Sequence, residues 1–178
     1  PQIKEFTINS EPNEFFPHHV PNPLVPENNR KLMNKIAKEK AKFGVSLDQD
    51  GNSLLFIDEN GRLINPNVTT ALLIKILKEK DLNLKVGFDI RQSKFLDDLC
   101  KEINITGLTL HSSFQKMNRT IRELDLYFAS ESNGTYYYRD FNYASSSFYT
   151  ILLIIDYLNK TGLNLSEAIS NLNIASSL

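Results

Sequence analysis

Apolar positions along this chain follow two periods, and the switches between them outline its elements. Ile3 to Ile8 alternate in the manner of a strand. Leu32, Met33, Ile36, Ala37 and Phe43 then recur at helical spacing, which predicts a helix from Pro26 to about Lys42. Pro26 suits its first turn, and Glu27 lies at the positive end of its dipole. Two short apolar runs, Gly44 to Leu47 and Leu54 to Ile57, predict buried strands on either side of the polar loop Asp48 to Ser53. Asp58-Glu59-Asn60-Gly61 reads as a hairpin-type turn, and Asn65-Pro66-Asn67 as a break in the chain.

Beyond the break, the pattern predicts a helix over 70–80, a strand over 85–90, a helix over 94–103, a strand over 106–110 and a helix over 115–123. A strand over 124–129, a sharp turn at 131–135 and an alternating strand from Tyr136 to Arg139 follow. The most apolar helix is contained within 143–159, and a short one follows over 166–172. Strands and helices alternate on both sides of the break. The expected fold is therefore α/β, with two mixed, mostly parallel units divided at residues 1–65 and 66–178. No short repeat or low-complexity tail interrupts them.

Composition narrows the function classes. Hydrophobic residues make up 41% and charged residues 23%, as in a folded globular domain. A net charge of −1 and the lack of a basic stripe argue against a nucleic-acid partner. A single cysteine, Cys100, makes no internal disulfide, so a reducing, cytoplasmic setting is expected and Cys100 reads as a packed core residue. No apolar run reaches the ~20 residues a membrane helix needs. Phe148 to Leu158 comes nearest, and Thr150 and Asp156 interrupt it. The first residues lack a signal-peptide pattern, which makes triplets such as Asn118-Arg119-Thr120 products of composition. A start on Pro1, in a strand-like run, is what a fragment or a processed chain would show.

Candidate chemistry concentrates in three places. In the polar loop, Asp48, Asp50 and Asn52 stand at alternate positions and can converge on one point, an arrangement suited to a hard cation such as Mg²⁺. The plainer reading is a polar turn bonded to its own backbone. An EF-hand would also use Asp48, Asp50, Asn52 and Glu59, but Ser53 stands where its glycine belongs and a strand precedes it. His19 lies in a proline-dense loop, Phe15 to Pro23, where anchoring the loop is the simpler role and ligand contact the other. Glu131 either faces a ligand or caps the 131–135 turn. Tyr136-Tyr137-Tyr138 fits an alternating strand better than a stacking platform, and Lys31 to Lys42 the solvated face of a helix.

Four segments in order resemble the α-D-phosphohexomutases, the phosphoglucomutase and phosphomannomutase superfamily. Phe16-Pro17-x-His19-x-Pro21-Asn22-Pro23 is similar to the family's FPxHxPNP segment, and Gly44 to Arg62 to its metal loop and following D-E-x-G-R turn. Phe128 to Thr135 with Tyr138-Arg139-Asp140-Phe141 resembles its sugar-recognition loop G-E-x-S-G-H and trailing F-R-D-F. Phe148 to Leu158 resembles the apolar helix that closes its third domain. The resemblance implies a truncated second domain (1–65) and a third domain (66–178) of a four-domain enzyme, without the phosphoserine domain and the domain that grips the substrate phosphate.

The family reaction moves a phosphoryl group between the 1- and 6-positions of a hexose through a phosphoserine, with Mg²⁺ neutralising charge. By position, Asp48, Asp50 and Asn52 match the metal ligands, but Asn52 replaces an aspartate and Ser53 the following arginine. Mg²⁺ affinity is expected to be weak or lost. Glu131 matches the glutamate that accepts sugar hydroxyls, Asn133 stands at the serine and Thr135 at the histidine. Ser113-Phe114 stand at a glycine-histidine pair, and Ser145-Ser146 at an aspartate pair. The implied substrate-binding set is Glu131, Asn133, Thr135 and His19, with a hexose phosphate as ligand.

Substitutions confined to the functional loops imply a fragment or degenerate homologue without turnover. The alternatives are a non-catalytic sugar-phosphate or protein-binding module, and a part of an active mutase completed by the missing domains. An uncovered sheet edge in the first unit implies a homo-oligomer.

Overall fold

The computed structural model places residues 3–11, 13–111 and 114–172, with side chains for all of these but 93 and 114–116. Asparagines hold the proline-rich start of the chain. Asn28 Nδ2 donates to the carbonyls of Val20 and Asn22, both at 2.9 Å. Asn29 Nδ2 donates to those of Pro23 and Val25 at 2.8 and 3.1 Å. These bonds satisfy carbonyls in a stretch whose prolines cannot donate. One 3₁₀ turn, Pro26–Asn29, leads into α1 (Arg30–Glu39), which stops at Lys40 in the left-handed region at φ 52°. The helix is thus shorter than its apolar spacing predicts. Ile3 to Ile8, expected as a strand, pairs with no described strand. Alternation makes a strand only where a ladder partner exists. Here Phe6 lies instead under the ammonium groups of Lys4 and Lys35, 4.7 and 5.0 Å from its ring centre.

β1 (Phe43–Leu47) and β2 (Leu54–Asp58) form an antiparallel pair in which Phe43 faces Asp58 and Leu47 faces Leu54. The expected break at Asn65-Pro66-Asn67 is in fact the start of α2 (Pro66–Lys78). The Asn65 side chain caps it by accepting from the Asn67 amide at 2.9 Å, and Pro66 fills the first turn. The elements that follow are β3 (Lys85–Asp89), α3 (Ser93–Glu102), β4 (Thr106–Leu110), α4 (Phe114–Glu123), β5 (Phe128–Ser130), β6 (Tyr136–Tyr138), β7 (Ala144–Ser145), α5 (Ser147–Thr161) and α6 (Leu165–Ser170).

The second sheet runs β4–β3–β5–β6–β7. β3 is parallel to both β4 and β5, while β6 and β7 return antiparallel, so this is a mixed sheet in an α/β fold. One strand boundary differs from the periodicity. The strand expected from Leu124 begins at Phe128, because Asp125 turns the chain at φ 49° and the Leu126 amide still bonds back to Ile121. The apolar helix expected within 143–159 is α5, which begins at Ser147 because Ala144 and Ser145 pair with β6 first; Ser146 then caps the helix.

Core residues lie on both faces of this sheet. Val86, Phe88, Phe128, Tyr136 and Tyr138 join α2, α3, α5 and α6 in one apolar cluster. Ala129 and Tyr137 join Met117 and Ile121 of α4 in another. The three tyrosines therefore alternate between faces as a strand requires, and all are buried. Leu54 and Phe56 of β2 belong to the larger cluster, so the two units share one core. Among the described residues no helix is long and apolar enough to cross a membrane.

Candidate functional site

The β1–β2 connection is shaped by its own first and last residues. The Asp48 amide donates to the Ser53 carbonyl at 3.1 Å, and the Ser53 amide to Asp48 Oδ1 at 3.0 Å. One oxygen of Asp48 is therefore used to form the turn, as the plainer reading of this loop expected. Asn52 projects both ways. Its Nδ2 donates to Asp50 Oδ2 at 2.5 Å, and its Oδ1 accepts from the Ser145 hydroxyl at 3.0 Å. Its carbonyl accepts from the Ser147 hydroxyl, also at 3.0 Å, at the first turn of α5.

Tested as a Mg²⁺ site, this donor set falls short. Two carboxylates are present, the third group is a neutral amide, and its N–H already points at Asp50. Mg²⁺ demands nearly octahedral oxygen donors. Among the described residues no group of three His, Cys, Asp or Glu side chains could hold a metal ion.

The 131–135 turn meets this loop directly. Ser53 Oγ and Thr135 Oγ1 lie 2.9 Å apart, and the Leu54 amide donates to the Gly134 carbonyl at 3.0 Å. Gly134 has φ +87°, and a Cβ there would lie 2.2 Å from the Leu54 carbonyl oxygen, so the close approach depends on glycine. Thr135 is fully buried with its hydroxyl on Ser53. Asn133 Oδ1 accepts from the Thr135 amide at 3.1 Å. Glu131 is buried, and its Oε1 accepts from the Tyr137 hydroxyl at 2.5 Å. Burial and that bond push the Tyr137 hydroxyl far above the ordinary phenol value.

Asp89 and Arg91, which periodicity alone did not single out, complete the site. Asp89 ends β3, buried, and its Oδ2 accepts from the Ser132 amide at 2.8 Å and from Arg91 Nη2 at 2.7 Å. Its Oδ1 accepts from the Arg91 amide at 2.8 Å. Burial alone would raise the Asp89 carboxyl; the Ser132 and Arg91 bonds outweigh it and hold it below the ordinary carboxylate value. Bonding to Asp89 raises the Arg91 pKa, and the charge of Glu131 adds to the effect. The readable signal is an acid and a cation two residues apart, at the carboxyl end of a strand, where α/β sheets present their ligands. Beneath them Ser130 Oγ donates to Gln92 Oε1 at 3.1 Å, and Gln92 Nε2 to Thr70 Oγ1 at 3.3 Å, a buried polar floor.

His19 contacts the Val20 carbonyl through Nδ1 at 3.0 Å, a bond within its own loop. The structure brings Asp48, Asp50, Asn52, Glu131, Asn133 and Thr135 into two joined loops; no described hydrogen bond draws His19 to them. Ser113 and the Phe114 side chain lie outside the described residues. A second tie between the units joins Glu59 to Ser166, whose amide and hydroxyl both donate to the carboxylate.

The sheet topology, with its loops gathered at strand ends, defines an α/β/α domain with one candidate ligand-facing edge. The signature described as "Phosphoglucomutase/phosphomannomutase, alpha/beta/alpha domain III" matches residues 65–173, and that of domain II matches residues 2–61. The chain belongs to the phosphoglucomutase/phosphomannomutase family. It is 29% identical to a phosphomannomutase of Methanocaldococcus jannaschii over 90% of this chain and 36% of that protein. It is 31% identical to a phosphoglucomutase/phosphomannomutase of Thermococcus kodakarensis over 95% of this chain and 37% of that protein. The chain thus spans little more than a third of these relatives. Its fold is similar to the crystal structure of a family protein from Burkholderia thailandensis, with a TM-score of 0.77 at 22% identity over 89% of this chain and 34% of that one.

Proposed function

We propose that this chain presents the sugar-facing part of a hexose-phosphate site and that, by itself, it binds such a ligand without transferring phosphoryl groups. The observation that carries this reading is the buried Glu131 carboxylate, fixed by Tyr137 and lying in the field of Arg91. A carboxylate with one oxygen engaged can still accept a sugar hydroxyl on the other, and an exposed guanidinium suits a phosphate. Asn133 adds an amide in the same turn, and His19 remains a candidate from the proline loop. Against turnover stand the neutral residues at Asn52, Ser53, Thr135 and Ser145, in loops where the family resemblance implies charged or basic groups. Mg²⁺, in this reading, binds weakly or not at all.

Nuclear magnetic resonance titration with hexose 1- and 6-phosphates tests the proposal. Shifts centred on the amides of Arg91 and residues 131–135, abolished in Glu131→Ala, are expected, with no mutase activity from the 178-residue chain. Turnover by this chain, or shifts unaffected by Glu131→Ala, would refute it. Alternatively, the same loops serve an active mutase completed by further domains, which assay of a longer protein containing them would reveal.

Self-association is a second proposal, motivated by the outer edge of β1, which pairs only with β2 among the described strands and ends on the exposed Leu47. Light scattering at rising concentration should show dimers; a monomer throughout removes it.

A further inference from the structure

We infer that Asn52 is the keystone of a cation-independent clasp that holds the two units together, so that the 48–53 loop is set in place by hydrogen bonds where a divalent ion does not fit. Four contacts converge at two adjacent residues. Asn52 bonds Asp50 through its N–H, Ser145 through its side-chain oxygen and Ser147 through its carbonyl, and Ser53 bonds Thr135. Three of these four cross from the first unit to the second, spanning 93, 95 and 82 positions of sequence.

The polarity of each group matches its neighbour. Asp50 can only accept, and it meets an N–H. The Asn52 oxygen can only accept, and it meets the hydroxyl of Ser145. A carboxylate at position 52 would set two negative charges within hydrogen-bond reach of each other and would leave Asp50 without its donor. The amide turns that repulsion into a bond and needs no ion to relieve it. The Asn52 carbonyl also meets the amino end of α5, a fifteen-residue helix whose dipole favours an oxygen there. The side chains of Glu131 and Arg91 make none of the clasp bonds, although Thr135 shares the turn of Glu131, whose amide donates to the Thr135 carbonyl at 2.9 Å. The melting tests read the clasp without any sugar phosphate present.

Thermal unfolding in EDTA and in excess MgCl₂, with calorimetric titration of MnCl₂ as the ion probe, tests this on the whole chain. The unsubstituted chain should melt at the same temperature in both buffers and take up no Mn²⁺ saturably. Asn52→Asp should melt lower in EDTA by roughly 3–6 °C, recover in MgCl₂ and take up Mn²⁺. Ser145→Ala should melt lower by about 2–4 °C in both buffers alike. Should Asn52→Asp fail to fold, Asn52→Ala, Ser145→Ala and their double variant replace it; the double variant should lose less than the two single losses together. Stoichiometric Mn²⁺ uptake by the unsubstituted chain that Asp50→Asn abolishes would overturn the inference. So would Asn52→Asp melting no lower than the unsubstituted chain in EDTA, or fully additive losses in the double variant.

Discussion

The hydroxyls of Ser53 and Thr135 meet at 2.9 Å, both on buried residues, although 82 positions separate them. Each is the other's described side-chain partner, so removing one leaves a polar atom shut away from water. Ser53→Ala or Thr135→Val should each cost about 1–2 kcal/mol in urea unfolding, with the double variant costing clearly less than the sum. Ser53→Arg should cost more, about 3 kcal/mol or above, because a guanidinium would be forced into a site only 8% exposed. Additive single losses would show that the two hydroxyls do not depend on each other.

Gly134 makes a sharper prediction. Its carbonyl accepts from Leu54, its φ is +87°, and any Cβ would collide with a backbone oxygen that cannot swing aside. Gly134→Ala should lose about 3 kcal/mol or more, well beyond the ~1 kcal/mol of an ordinary glycine turn. Gly51 also has positive φ, but its added Cβ meets nothing within 4 Å. Gly51→Ala is thus the control: it carries the conformational cost without the collision. Equal losses from the two substitutions, measured by urea unfolding, would remove the steric argument.

Local signals explain which parts of this architecture were readable in the sequence. The β3–α3–β4 stretch carries clean periods, and the tyrosine run alternates as its faces demand, so both emerged from pattern alone. Ile3 to Ile8 carries the same kind of alternation and forms no strand, because pairing is a property of two segments. Asn65-Pro66 read as a break although the same pair is a strong helix start: an Asn cap followed by a proline in the first turn. Asp48, Asp50 and Asn52 were visible as a polar cluster. The use made of Asn52 was not, since its partners Ser145 and Ser147 lie on the far side of the second unit's sequence. The pattern around Asp89 marks it simply as part of a strand; only the fold brings the Ser132 amide against it.

Acid stability should depend on Asp89. Its folded-state pKa is depressed, so the unfolded chain takes up this proton first as pH falls. The contribution is complete above the ordinary carboxylate value of about 3.9 and disappears as pH drops through the lower folded-state value. Asp89→Asn should cost about 2 kcal/mol at neutral pH, and its deficit should narrow below pH ~4. Arg91→Ala, which removes a side chain 67% exposed, should cost at most ~1 kcal/mol. Urea unfolding across pH measures both. A deficit for Asp89→Asn that stays constant into acid would mean that the carboxylate charge is not what stabilises the turn.

The alkaline limb tests the buried tyrosines. Tyr136, Tyr137 and Tyr138 are shut from solvent, and burial raises all three hydroxyls well above their ordinary value. Here the sign is opposite to that of Asp89. Above pH ~10 the unfolded chain releases these protons while the folded chain keeps them, so stability is full below that pH and falls as pH rises past it. Each tyrosine contributes up to ~1.4 kcal/mol per pH unit, or about 4 kcal/mol for the three together. Unfolding should therefore be abrupt, with the last tyrosinate absorbance appearing together with loss of the helical circular dichroism. Tyr137→Phe should soften the transition, because one buried proton is no longer at stake, while leaving the acceptor Glu131 without its donor and lowering neutral stability by about 1–3 kcal/mol. If all seven tyrosines ionise before any helix is lost, the β6 hydroxyls are reached by solvent in the folded state and the packing described for that strand is wrong.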